Sequence, residues 1–74
     1  MDERLIDLIK TASGGNVEIT PDTNLALDLG LKSIDLLELV TDVEDTFGIE
    51  VSDEAVESIH TAGELDAYIK EMIN

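Results

Sequence analysis

Apolar residues recur at helical spacing near the start of the chain. Between about Asp2 and Ala12 they follow one another at intervals of three and four residues, which places them on one face of a helix. The acidic residues of the first turn suit the positive end of the helix dipole. The run Ser13-Gly14-Gly15-Asn16 predicts where this helix ends. The residues expected on its inner face are Leu5, Leu8, Ile9 and Ala12.

The longest amphipathic segment runs from Ser33 to about Phe47, and a glycine closes it. We place Ser33 at the N-cap, because its hydroxyl can accept a hydrogen bond from one of the first backbone N–H groups of the helix. Ile34 and Leu37 lie beside the inner face and not within it, which indicates a surface for a partner. The inner face itself is Leu36, Leu39, Val40, Val43 and Phe47.

Two further helices are predicted in the last third of the chain. A short one spans about Asp53 to Ser58 and is capped by Ser52. The last runs from about Ala62 to Ile73, after a capping box formed by Thr61 and Glu64. The residues expected to face inward are Ala55, Val56 and Ile59, then Ala62, Leu65, Ile69 and Met72, with Ile73 at the end and Tyr68 at the margin.

The connection between the first two helices is long and apolar. Leu25, Leu27 and Leu29 predict that it docks on the core, and Gly30 frees the backbone before the next helix. The alternating stretch 49–51 has no strand to pair with, so we expect a loop there. These elements predict an all-α fold: a four-helix bundle with three long helices, one short helix and a long first loop, in one domain that covers residues 1–74.

The strong negative charge of the chain limits the classes of molecule that it can bind. The chain has 18 acidic and 4 basic residues and a net charge of −14, so it repels nucleic acid and anionic lipid and attracts basic protein patches. Hydrophobic residues make up 43%, which separates it from a disordered acidic tail. Cysteine is absent, and so are a membrane-spanning apolar run and a signal peptide. We expect a cytoplasmic monomer with no bound nucleic acid and no membrane span.

Candidate catalytic and metal-binding residues are few. The one histidine, His60, lies between the third and fourth helices, and nothing in the sequence brings it to Ser33. No G-x-S-x-G turn surrounds the serine, and carboxylate pairs are uninformative in a chain this acidic. The acidic run 42–54 does not follow the calcium-loop template. We therefore expect no catalytic residue and no metal site, and a carrier or binding module is favoured over a small enzyme.

The surroundings of Ser33 suggest more than a helix cap. A serine at a helix N-terminus suits a phosphodiester, because free N–H groups and the helix dipole stabilise negative charge there. The segment Asp28-Leu29-Gly30-Leu31-Lys32-Ser33-Ile34 resembles the attachment signature of the acyl carrier protein family, D-L-G-x-(D)-S-L. The following acidic and apolar helix, which ends in a phenylalanine, also resembles that family. The resemblance extends over essentially the whole chain.

This resemblance implies a non-catalytic carrier with 4′-phosphopantetheine attached to Ser33. A phosphopantetheinyl transferase would move the arm from coenzyme A, and its thiol would hold acyl groups as thioesters, with the acyl tail between the helices. Acyl-transferring or acyl-ligating enzymes with basic docking patches are the implied partners, in fatty acid synthesis or in specialised polyketide, lipid or lipopolysaccharide synthesis. An aminoacyl carrier of the same family stays open. The alternative from another class is an acidic adaptor that binds a basic partner without a cofactor.

The expected partner surface follows the second helix. In the family an aspartate usually precedes the serine, whereas this chain has Lys32. That lysine either pairs with the phosphate of the prosthetic group, tunes the choice of partner, or is a tolerated surface substitution. The residues expected to contact partners are Lys32, Ile34, Asp35, Leu37, Glu38, Thr41, Asp42, Glu44 and Asp45.

Overall fold

The computed structural model describes residues 1–74 and contains four α-helices and no β-strand. They are α1 (Glu3–Ala12), α2 (Ser33–Phe47), α3 (Asp53–Ser58) and α4 (Ala62–Ile73). This confirms the all-α fold and the predicted order of the helices. None of them combines the length and the apolar character that crossing a membrane requires.

The capping residues that the sequence indicates are present at the start of α3, the start of α4 and the end of α2, whereas the cap of α1 is one that the helical pattern does not predict. Asp2 is the N-cap of α1 and accepts a hydrogen bond from the backbone N–H of Arg4 at 2.8 Å. The Ser52 side chain caps α3, and the capping box that opens α4 is present. At the other end of α2, Gly48 adopts the left-handed conformation with φ 68°, which confirms the predicted stop.

One buried cluster draws side chains from three helices and from the long loop. It consists of Leu5, Ile9, Leu25, Leu31, Leu39, Val43, Ala62, Leu65 and Ile69. The predicted inner faces of α1 and α2 are confirmed, since Leu8, Ala12, Leu36 and Phe47 pack against this cluster. The prediction for the end of α4 is wrong: Met72 and Ile73 are half exposed, because the last turn, residues 71–74, lies beyond the core and is exposed throughout.

The long loop docks on the core, but not through all three of the predicted leucines. Leu25 is buried and Leu29 is half buried, whereas Leu27 is 85% exposed. The reason is a helix-like turn nucleated by Asn24, whose side-chain oxygen accepts hydrogen bonds from the N–H groups of Ala26 and Leu27 at 3.0 and 2.8 Å. Residues four apart in such a turn share a face, so the residue midway between them points to solvent.

Backbone hydrogen bonds tie the loop to the start of α4. The N–H of Leu25 donates to the carbonyl of His60 at 2.9 Å, and the N–H of Ala62 donates to the carbonyl of Thr23 at 2.9 Å. The N–H of Gly63 donates to the carbonyl of Pro21 at 2.9 Å. These contacts hold the segment between α3 and α4 beside the loop that leads to Ser33.

The stretch 49–51 is a loop, as predicted, and it is anchored by α2. Val51 is buried, and its backbone N–H donates to the carboxylate of Glu44 at 2.9 Å. The hydroxyl of Tyr68 donates to the carbonyl of Glu50 at 3.2 Å, which connects the same stretch to α4. Tyr68 therefore lies at the margin of the core, where the sequence places it.

Candidate functional site

Ser33 is the first residue of α2, and its side chain is exposed. The prediction that it is the N-cap is wrong, because Lys32 occupies that position in an extended conformation. The carboxylate of Asp35 accepts a hydrogen bond from the backbone N–H of Lys32 at 2.9 Å. Asp35 therefore stabilises the start of the helix through a side chain of its first turn. The Ser33 hydroxyl makes no hydrogen bond within the chain, and it is free to react.

The surroundings of this hydroxyl fit a phosphodiester. The backbone N–H groups of Ser33 and Ile34 have no acceptor within the chain, as expected for the first turn of a helix. They lie at the positive end of the α2 dipole, where an anion is stabilised by typically 0.3–1 kcal/mol at an exposed site, to order of magnitude. An attached phosphate group would therefore gain donors that the protein itself leaves unpaired.

A cleft of about 290 Å³ opens beside Ser33, between the long loop, α2, α3 and the segment that joins α3 to α4. Five of its nine lining residues are apolar, and we refer to these five as its floor. Three of the floor residues also bound an interior void of about 10 Å³, so they separate the cleft from the core: Leu36, Val56 and Ile59. The other lining residues are Asn24, Ala26, Leu37, Glu57 and His60.

His60 lies on the same cleft as Ser33, although the sequence offers no sign of this. The loop hydrogen bond from Leu25 and a bond from the N–H of His60 to the carboxylate of Glu64, at 3.2 Å, bring it there. The backbone N–H groups of His60 and Thr61 hold the pKa of Glu64 below its ordinary value. No hydrogen bond joins the imidazole to Ser33 or to a carboxylate, so the arrangement is not that of a catalytic triad.

The outer face of α2 carries a shallow groove of about 350 Å³ next to Ser33. Ile34 is 64% exposed and Leu37 is 54% exposed, so both offer apolar contact at the surface. The groove is lined by five of the residues expected to bind partners: Ile34, Leu37, Glu38, Thr41 and Asp42. We refer to these five residues as the α2 groove.

The remaining residues of the expected partner surface differ in exposure and in whether they bond to the chain itself. Asp45 and Lys32 are exposed and form no salt bridge. Asp35 and Glu44 are half buried, and their carboxylates accept hydrogen bonds from the backbone N–H groups of Lys32 and Val51. These two carboxylates therefore stabilise the fold of the chain itself.

Comparison with known proteins shows the family to which the chain belongs. Residues 3–69 match the family model described as "Phosphopantetheine attachment site". The chain is 51% identical over 53 residues to an acyl carrier protein of Lactobacillus johnsonii, an alignment that covers 72% of this chain and 66% of that protein. It is 39% identical over 70 residues to an acyl carrier protein of Syntrophobacter fumaroxidans, covering 93% of this chain and 86% of that one.

Proposed function

Because the chain belongs to the acyl carrier protein family, whose members carry covalent 4′-phosphopantetheine, we propose that it carries acyl intermediates as thioesters on an arm attached to Ser33. The observation that supports Ser33 is its exposed hydroxyl, free of hydrogen bonds, beside unpaired N–H groups and a cleft. When attached, the arm supplies the thiol that this cysteine-free chain lacks. The chain itself catalyses no bond chemistry in this proposal.

The α2 groove is the proposed contact for partner enzymes, and Asp45 and Lys32 extend it. Glu38 and Asp42 supply exposed negative charge at the groove, and Ile34 and Leu37 supply the apolar contact beside the arm. Partners with basic patches fit this surface: a phosphopantetheinyl transferase, and acyl-transferring or acyl-ligating enzymes. Charge pairs of this kind favour fast and weak association, which suits a protein that must also leave.

The acyl tail has two candidate places, the cleft and the core. The interior void of about 10 Å³ is at the lower limit of what one water molecule needs, so the core as it stands is closed to a tail. We propose that the tail rests in the cleft, and that it enters between the helices of the bundle only if Leu36, Val56 and Ile59 move aside. All three are half buried aliphatic residues, so such a movement leaves no polar group unpaired.

The acyl intermediates serve either fatty acid synthesis or a specialised polyketide, lipid or lipopolysaccharide pathway in this proposal. Lys32 at the position where the family usually has aspartate favours a specialised carrier. An aminoacyl carrier uses the same attachment chemistry. An acidic adaptor without cofactor would use the α2 groove but leave Ser33 unmodified.

A loading experiment tests the attachment residue. The purified chain is incubated with coenzyme A and a broad-specificity phosphopantetheinyl transferase, and its mass is measured. We expect a gain of one phosphopantetheine, which Ser33→Ala abolishes. The matched control is Ser58→Ala at the exposed end of α3, which should load as the wild type does. Loading of Ser33→Ala would refute the assignment, and a wild type that no transferase modifies would favour the adaptor.

A charge-reversal experiment tests the α2 groove. Lysine replaces Glu38 and Asp42 together, and the rate of loading is measured at low and high salt. We expect loading to slow at low salt, with a difference that shrinks as salt screens the charges. The control carries lysine at Asp7 and Glu71, which are exposed on α1 and α4. Equal rates for the two double variants would show that docking depends on total charge and not on the groove.

A further inference from the structure

Positive charge is scarce in this chain, and half of its basic side chains are already paired. Arg4 forms a salt bridge with Asp2 at 3.1 Å, and Lys70 forms one with Asp66 at 2.9 Å. The unpaired lysines are Lys10 and Lys32, and Lys32 directly precedes Ser33. A chain with a net charge of −14 therefore leaves a free cation next to the residue that we propose to carry a phosphodiester.

The structure places a second group that can become positive on the same site. His60 and Ser33 line one cleft. The backbone of His60 is held on both sides, since its N–H donates to Glu64 at 3.2 Å and its carbonyl accepts from Leu25 at 2.9 Å. Its side chain is exposed and makes no hydrogen bond within the chain. The residue is thus fixed in position, while both ring nitrogens are available to a ligand.

We propose, as an extension of the proposed attachment at Ser33, that His60 is a positioning residue for the phosphodiester of the attached arm. The protonated ring would donate a hydrogen bond to a phosphate oxygen at the mouth of the cleft and direct the arm along α3. Lys32 is exposed and directly precedes Ser33, and it adds charge that does not depend on pH in the range of the test. The neutral ring attracts the phosphate less, so the exposure of the arm depends on pH.

Four carboxylates lie on elements next to the cleft or to His60. Glu57 on α3 lines the cleft with His60, and Glu64 on α4 accepts the N–H of His60. In the loop, the carboxylate of Asp28 accepts a hydrogen bond from the N–H of Asn24, a residue of the cleft. At the start of α2, the carboxylate of Asp35 accepts one from the N–H of Lys32. Three of these four acids accept hydrogen bonds from backbone N–H groups. Glu57 accepts none, so the test must separate the effect of Glu57 on the His60 ring from the effect of the phosphate.

The test uses the fact that the chain contains one histidine. The wild type, His60→Gln and Glu57→Gln are loaded with phosphopantetheine, loading is verified by mass, and NMR follows the imidazole protons and the phosphorus signal between pH 5 and 8. In the loaded wild type we expect the ring to titrate about 0.2–0.7 pH units higher than in the unloaded chain, the size of an exposed ion pair. The phosphorus signal should shift with the same midpoint, because a phosphodiester does not titrate in this range.

The variants separate the proposal from its premise. In loaded His60→Gln the phosphorus signal should not change with pH. Glu57→Gln, and Lys10→Gln on α1 outside the cleft lining, should keep the upward shift. High salt should reduce that shift in the wild type, in Glu57→Gln and in Lys10→Gln. A loaded wild type whose ring titrates as in the unloaded chain, with a phosphorus signal insensitive to pH, would overturn the role of His60 and leave the attachment intact. A chain that does not load contradicts the attachment itself, and the mass measurement reports that separately.

Discussion

The buried carboxylate of Asp66 supports a prediction about stability. Asp66 lies on α4 with 7% of its surface exposed. It accepts a hydrogen bond from the backbone N–H of Asp2 at 3.1 Å and forms a salt bridge with Lys70 at 2.9 Å. Burial by itself would raise the pKa of Asp66, but the hydrogen bonds from Lys70 and from Asp2 outweigh it and hold that pKa below its ordinary value. The carboxylate thus connects the start of α1 to α4.

The change Asp66→Asn removes the charge and keeps the shape. The amide oxygen can still accept from the N–H of Asp2, so that bond weakens from a charge-assisted one, worth about 1.5–3 kcal/mol, to a neutral one, worth about 0.5–1.5 kcal/mol. The pair with Lys70 is largely exposed on the lysine side and adds only about 0.3–0.5 kcal/mol. We expect the free energy of unfolding to fall by about 1–2 kcal/mol at neutral pH, or by several degrees in melting temperature for a domain of this size.

The dependence on pH provides the second part of the test. Because the pKa of Asp66 is lower in the folded chain than in the unfolded chain, its contribution is complete well above the ordinary value of 3.8 and is lost as pH falls below it. Urea unfolding of the wild type and Asp66→Asn at pH 7 and near pH 2.5 measures the difference. The control is Glu71→Gln, which removes one exposed charge from the same helix. Equal stability of wild type and Asp66→Asn at pH 7, or a difference that persists unchanged in acid, would refute this account.

Three further substitutions have expected effects on the melting temperature. Gly63→Ala should destabilise, although alanine favours helices, because the new Cβ would lie 2.7 Å from the carbonyl oxygen of Pro21; a rise in stability would contradict this. Glu44→Ala should cost about 1–3 kcal/mol, since the N–H of Val51 loses its acceptor, and an unchanged melting curve would show that water replaces it. Gly48→Ala should cost about 1–2 kcal/mol through the left-handed backbone, and a neutral effect would mean that the helix end rearranges.

Much of the fold could be predicted because its signals are local. The capping residues Ser52 and Thr61 act on N–H groups three residues away, so the starts of α3 and α4 follow from short stretches of sequence. The sequence places the cap of α2 on the wrong residue, because Ser33 and Asp35, two residues later, are both candidates for stabilising one helix start. In the structure Asp35 holds the N–H of Lys32 and leaves Ser33 free. The Ser33 hydroxyl thus makes no hydrogen bond, as the proposed attachment of a prosthetic group requires.

The sequence by itself determined the order of the helices and most of their inner faces, because spacing and capping act within a few positions along the chain. The resemblance of residues 28–34 to a family signature made Ser33 the candidate attachment residue. Only the tertiary structure decided that His60 shares a cleft with Ser33, that Leu27 faces solvent and that Asp66 is buried. The position of His60 depends on backbone hydrogen bonds between the long loop and the segment that leads into α4. The burial of Asp66 depends on the contact between α4 and the backbone at the start of α1. Backbone groups leave no signature in the order of side chains, so such pairings become visible only in the folded chain.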